Sequence, residues 1–145
     1  MTDADQLGWR AAEVLHRYCR AIDDHDAVAL AAVFAPDVEL VVGGETTEGG
    51  DGSQQSFAGR DLVVQLLSSL FEQRNWARHS VANVLVGPGP DGTLVVDSYF
   101  NYLLAKAESR VVGVGDYHVD MLEIDGHLLI TRFSAAILDE VEIPR

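Results

Sequence analysis

Two side chains in this sequence have the types and settings to move a proton together: Asp23, at the end of an apolar helical stripe, and His79, near the start of an apolar strand. A carboxylate bonded to one imidazole nitrogen fixes the ring's tautomer and stabilises its protonated form, leaving the other nitrogen as a general base. Proton transfer of this kind contributes about a hundred- to ten-thousand-fold in rate. Asp23 belongs to the acidic stretch "YCRAIDDHD" at 18–26. It lies eight residues after Leu15 and four after Cys19, so it continues the edge of the stripe, whereas Asp24 and Asp26 point elsewhere. Arg132, on a strand of otherwise apolar and small residues, is a cation able to hold an anionic or leaving group, and Tyr18 is a second group able to steady developing negative charge.

Each candidate also has a plainer reading. A lone histidine such as His79 can be a buried ring that has simply found a partner, and aspartates gather at helix ends. His16, His25 and His127 read as solvated, on a polar helix face, in a turn and beside a turn. His118 alternates with Asp116 and Asp120 on one strand face, which reads as a solvated face because metal sites use recognisable ligand spacings. Tyr18, Asn83, Tyr99, Phe100 and Tyr102 are expected to line a pocket, and Cys19 reads as a small buried apolar residue. No G-x-S-x-G elbow or phosphate loop is present, and the "GVG" at 113–115 lies inside a strand with no helix after it. Neither a cofactor nor a metal is expected.

The elements that must position these residues follow from periodicity. Leu7, Ala11, Val14, Leu15, Tyr18 and Ile22 make one buried helical stripe. Asp26 caps a second short helix whose Leu30, Val33 and Phe34 face the core until Pro36 ends it. "DVELVV" alternates as a strand, and residues 43–56, with five glycines, read as a mobile loop. A third helix spans "GRDLVVQLLSSLFEQ", with Leu62, Leu66, Leu67 and Leu70 at helical spacing. Four strands then follow: "ARHSVANVLV", "TLVVDSYFNYLLA", "SRVVGVGDYHVDMLEI" and "HLLITRFSAAIL", separated by "GPGPDG", the charged stretch around Lys106 to Ser109, and the Asp-Gly at 125–126. With a period of two, His79, Val81, Asn83 and Leu85 share one face of the first of these. Gly113 and Gly115 suit a bend or bulge. Helices before an antiparallel meander imply an α+β fold, a curved sheet covered on one face by helices and enclosing a pocket.

The 145 residues suit one domain spanning 1–145, and 48% hydrophobic residues suffice for a core. Net charge is −13, which repels phosphate backbones and argues against nucleic-acid binding. No apolar run is long enough for a membrane helix, and the acidic N-terminus lacks a signal peptide's pattern, so a cytoplasmic protein is expected. A single cysteine leaves no internal disulfide.

The motif A-I-D-x-x-D followed by L-x-x-x-F-A-P-D, the R-H-x-x-x-N at 78–83, and "GDYHVDMLEIDGHLLITRF" together resemble the SnoaL-like branch of the nuclear transport factor 2-like superfamily over nearly the whole chain. The resemblance implies a cone-shaped fold with about three helices and a homodimer or homotrimer. In its scytalone dehydratase and hexachlorocyclohexane dehydrochlorinase members, a helix-borne aspartate and a strand-borne histidine carry out cofactor-free elimination. By motif these fall on Asp23 and His79, and the dehydrochlorinase arginine falls on Arg132. The chain departs from both: Tyr18 stands where the dehydrochlorinase has a lysine, and Phe100 where the dehydratase has a second histidine. The resemblance thus implies a lyase or isomerase, of the dehydratase or polyketide cyclase kind, acting on a hydrophobic or aromatic small molecule. "VANVLV" and "VGVGDYHVDML" also resemble the small subunits of aromatic-ring-hydroxylating dioxygenases, which implies instead a non-catalytic partner-holding chain. A plain ligand-binding module is the third reading.

Overall fold

The helical stripe from Leu7 to Ile22 lies within α1 (Asp3–Asp23), which opens on a capping box between Thr2 and Asp5. Its inward side carries Ala11, Val14, Leu15, Tyr18, Cys19, Ala21 and Ile22, with Asp23 at the end. The Asp26 side chain accepts from the Ala29 N–H and so caps α2 (Ala27–Ala32), as expected. This computed structural model describes residues 2–43 and 53–145.

The second helix stops at Ala32, and the chain enters β1 (Phe34–Gly43) before reaching Pro36, so Phe34 packs from a strand. Pro36 sits where the pairing register of β1 shifts, so its missing N–H removes no ladder bond. The loop expected over 43–56 falls largely on 44–52, outside the described residues. On either side of that stretch the chain is paired: Gly43 closes β1, and β2 (Gln54–Ala58) runs antiparallel to it. An exposed, polar five-residue strand has no apolar alternation to announce it. Helix α3 (Arg60–Ser68), followed by a 3-10 turn at Phe71–Gln73, buries Val63 and Leu67 and leaves Leu62 half exposed. Its inward stripe is therefore turned by one residue from the leucine repeat.

The four later strands are β3 (Trp76–Pro88), β4 (Leu94–Ala105), β5 (Ser109–Ile124) and β6 (His127–Pro144). Asp125 and Gly126 both have positive φ, 51° and 79°, the left-handed pair that a two-residue hairpin requires. The sheet order is β2-β1-β6-β5-β4-β3, which makes β3 an edge strand. The four later strands pair antiparallel, as the expected meander requires, whereas β1 and β6 run parallel. They are far apart in sequence, so no tight turn dictates their direction. Phe34, Phe133, Leu15, Leu30, Met121 and Ile130 are fully buried between the helices and the inner sheet face. The architecture is α+β, with three α-helices and a six-stranded curved open sheet among the described residues. No helix among the described residues is long and apolar enough to cross a membrane.

Two of the register shifts, one in β3 and one in β6, change which side chains reach the interior near the site. In β3, Ala82 pairs with Tyr99 and Leu85 with Asp97, so an extra residue is inserted at Asn83, whose φ is 54°. In β6, Ile130 pairs with Met121 and Arg132 with Asp120, so the extra residue is Thr131. Beyond each bulge the inward side chains change parity.

Candidate functional site

Asp23 occupies an electrostatically poor place, because the C-terminal end of a helix carries partial negative charge. Its carboxylate is nevertheless buried, with the side chain only 4% exposed, and both oxygens are engaged by one residue. Oδ2 accepts from the backbone N–H of His79 at 2.9 Å, and Oδ1 lies 2.6 Å from the ring Nδ1. The edge position of β3 explains the first bond: an amide pointing off the sheet needs an acceptor other than a strand, and the end of α1 supplies it. The second bond decides the tautomer. An ionised carboxylate only accepts, so Nδ1 carries the hydrogen and Nε2 keeps a free lone pair.

Aromatic residues surround this pair. Tyr102, paired with His79 across β3 and β4, stacks on the imidazole at 5.7 Å between ring centroids. Phe100 lies 4.0 Å from Tyr117 in a parallel stack, and Tyr18 lies 4.5 Å from Phe133. The glycines of β5 make this wall possible. Tyr102 covers Gly113 and Phe100 covers Gly115, and a Cβ at Gly113 would lie 2.1 Å from the Tyr102 ring. The Tyr102 hydroxyl then donates to the Glu140 carboxylate on β6. The β5–β6 register does shift between Val114 and Gly115, but the extra residue is Leu138 of β6, so the bulge lies in the strand facing the glycines and not in their own.

Burial sets the chemistry of the surrounding acids. Tyr18 and Tyr117 are held neutral well above the ordinary phenol range, chiefly by loss of solvent. Burial likewise pushes the Cys19 thiol up to about 12, against a smaller opposing effect of its bond to Tyr117. Tyr102 is raised by burial and by the hydrogen bond to Glu140.

The structure thus brings together Asp23, His79, Tyr18, Phe100 and Tyr102, and it separates three others. Arg132 is on the outer face, with Nε 3.7 Å from the Glu39 carboxylate and Asp120 as its cross-strand neighbour. Strict alternation from Leu128 and Ile130 sends Arg132 inward; the bulge at Thr131 puts Phe133 there instead. Asn83 is exposed in its own bulge, and Val84 and Val86 take the inward positions, so the face shared by His79 and Val81 does not continue through Asn83 and Leu85. Tyr99 is 59% exposed on the outer face, because its neighbours Ser98 and Phe100 point in. His118 also lies outside and bonds to Asp97. Among the described residues no group of three or more His, Cys, Asp or Glu side chains is arranged to hold a metal ion.

Sequence reasoning missed Arg74. It sits at the end of the 3-10 turn, its Nη1 is buried without a hydrogen-bond partner, and its charge acts on Tyr18, Asp23, Tyr117 and Tyr102. Desolvation lowers its pKa from the usual arginine value. In "FEQRNWARH" it looks like any polar residue between two elements; only the turn before β3 directs it inward.

Comparisons with known proteins agree with this architecture. A candidate scytalone dehydratase from Novosphingobium aromaticivorans superposes with a TM-score of 0.78 at 19% identity, over 97% of this chain and 91% of that one. A hexachlorocyclohexane dehydrochlorinase, LinA type 2, gives 0.77 at 17% identity, over 98% and 93%. A Nostoc punctiforme protein with a cystatin-like fold gives 0.68 at 18% identity, over 94% and 93%. At these identities the likeness shows the fold. No curated protein matches the sequence. The SnoaL-like domain model matches residues 9–134, which is most of the chain and includes both Asp23 and His79. The chain therefore belongs to the SnoaL-like family.

Proposed function

We propose that this protein is a cofactor-independent lyase or isomerase acting on a hydrophobic or aromatic small molecule. Nε2 of His79 takes a proton from a substrate carbon, and Asp23 orients the ring and balances the charge it gains. One observation carries the proposal: a single buried carboxylate holds His79 by both its backbone N–H and its Nδ1, at 2.9 and 2.6 Å. The Nδ1 bond sets the ring's tautomer and direction, and the backbone bond holds in place the carboxylate that makes it, as a base of fixed direction requires. The aromatic wall of Tyr18, Phe100, Tyr102 and Tyr117 suits an apolar substrate. The likeness to a dehydrochlorinase and a candidate dehydratase supports elimination as the reaction type.

A generic carbon acid can stand in for the natural substrate in the test. Aryl ketones with an acidic C–H beside the carbonyl, incubated with the protein in D2O, are followed by proton NMR for loss of the C–H signal. Wash-out should occur with the wild type and fall about a hundred- to ten-thousand-fold in His79→Gln. Equal rates in the two proteins would remove the proposal.

The outer sheet face exposes Tyr99, Val112, Val114, Leu138, Val141 and Ile143, which supports a homodimer or homotrimer. The same face favours a second reading, a non-catalytic subunit of a ring-hydroxylating dioxygenase. A structural neighbour from Novosphingobium aromaticivorans is described as a candidate aromatic ring hydroxylase. Sedimentation of the purified chain separates the two, since a subunit of that kind requires a large partner to be stable.

A further inference from the structure

We propose that Arg74 receives the negative charge that develops in this site, and that the substrate is a neutral carbonyl- or phenol-bearing apolar molecule whose oxygen is seated on the Arg74 guanidinium. This rests on reading Asp23 and His79 as a proton-transfer pair. Arg74 is anchored by its surroundings: its N–H bonds to the Phe71 carbonyl, and the next amide, that of Asn75, bonds to Ala105 at 2.8 Å. The guanidinium is thereby delivered toward Tyr18, Asp23, Tyr102 and Tyr117, with Nη1 buried and without an acceptor among the described residues.

None of the groups around Nη1 hydrogen-bonds to it: the nearby Asp23 carboxylate favours the Arg74 charge, but the hydrogen bonds of its two oxygens go to His79. The Tyr102 hydroxyl is committed to Glu140, and Tyr18 and Tyr117 stay neutral, so none of these phenols serves as a counter-anion. A buried charged donor left without a hydrogen bond is costly, and a substrate oxygen placed there would relieve that cost. Arg132, the cation that the sequence suggests for this role, is on the other side of the sheet.

The chain's net charge of −13 decides in which form the ligand enters. Long-range repulsion disfavours an anion from solution, whereas a neutral carbonyl compound approaches freely. The charge then appears inside. As the C–H bond breaks, its proton goes to Nε2 of His79 and its electron pair forms the new C=C bond. The carbonyl π pair moves onto oxygen, giving an enolate that accepts from Arg74 Nη1–H. Delivery of the proton from the imidazolium to a different carbon of a conjugated enolate completes an isomerisation, and departure of a β-leaving group, with the enolate pair re-forming the carbonyl, completes an elimination. The guanidinium bonds more strongly to the enolate than to the ketone, which is the condition for lowering a barrier.

Two shape-matched probes, 4-nitrophenol and nitrobenzene, test this by titration into the full-length protein. Binding to the wild type should shift 4-nitrophenol toward its phenolate, read by visible absorbance. Arg74→Met should weaken phenolate binding about 10- to 100-fold, as expected for a charge-assisted hydrogen bond, and leave nitrobenzene binding nearly unchanged. Arg74→Lys should restore part of the phenolate preference. Equal weakening of both probes by Arg74→Met, or a wild type without preference for the phenolate, overturns the inference. His79→Gln separates it from the proposal beneath it. Phenolate preference kept in that variant, with ketone wash-out unchanged, would leave Arg74 in place and discard the base. Wash-out lost, with no phenolate preference in the wild type, would do the reverse.

Discussion

One carboxylate, that of Asp23, grips His79 at two atoms, and both gripped atoms are donors. Asparagine in its place has one accepting oxygen and one donating nitrogen. Asp23→Asn should therefore turn the ring over to the Nε2–H tautomer, with no lone pair facing the substrate. Nitrogen-15 shifts of the His79 ring read this directly, and the proton wash-out described above should be lost with it. Asp23→Ala should also cost about 1–3 kcal/mol of stability, since the His79 amide is left without an acceptor.

Removal of a methyl-sized gap should be felt differently at the two covered glycines. Gly113→Ala collides with the Tyr102 ring, a side chain able to move, so Tyr102→Leu should recover most of the loss. Gly115→Ala meets the Ala136 carbonyl oxygen at 2.2 Å, which is backbone. Trimming Phe100 should therefore rescue little. Urea midpoints of the four single and double variants distinguish the cases.

Alkaline pH should unfold the protein earlier than its acidic composition suggests. Cys19, Tyr18 and Tyr117 ionise only well above their ordinary values when folded, but at about 8.5 and about 10 when unfolded. The folded state thus holds its protons longer, and the stability these groups contribute is fully present below about pH 8. It is lost as pH rises through the unfolded-state values and, for Cys19, on toward about 12. Urea midpoints should be level near neutrality and fall from about pH 9 upward. Below that pH, the Cys19 thiol should resist a thiol reagent until denaturant is added.

Arg132→Gln should leave proton wash-out unchanged and shift stability by no more than about 1 kcal/mol, because its ion pair with Glu39 is long and partly exposed. Loss of activity in this variant would contradict its place on the outer face.

The positions of Asp23 and His79 were legible because each lies on an uninterrupted periodic element. Counting three and four along α1 leads to Asp23, and counting two from Ala77 leads to His79. Counting fails past a bulge. Asn83 and Arg132 are each misplaced by one inserted residue, and neither Asn83 itself nor Thr131 is a glycine that would flag the insertion. Tyr99 was distinguishable from Phe100 and Tyr102, since adjacent strand residues cannot share a face. Arg74 lies between elements, where no period exists, and β2 is too short and polar to show one.

The bond from the His79 amide to Asp23 has a consequence for the open edge of the sheet. An outermost strand offers its unpaired amides to any extended chain that drifts past, and β3 is such a strand. The end of α1 occupies one of those amides, so that stretch is closed to a further strand at His79. Asp23→Ala should therefore associate with itself more readily than the wild type, a difference that light scattering reads.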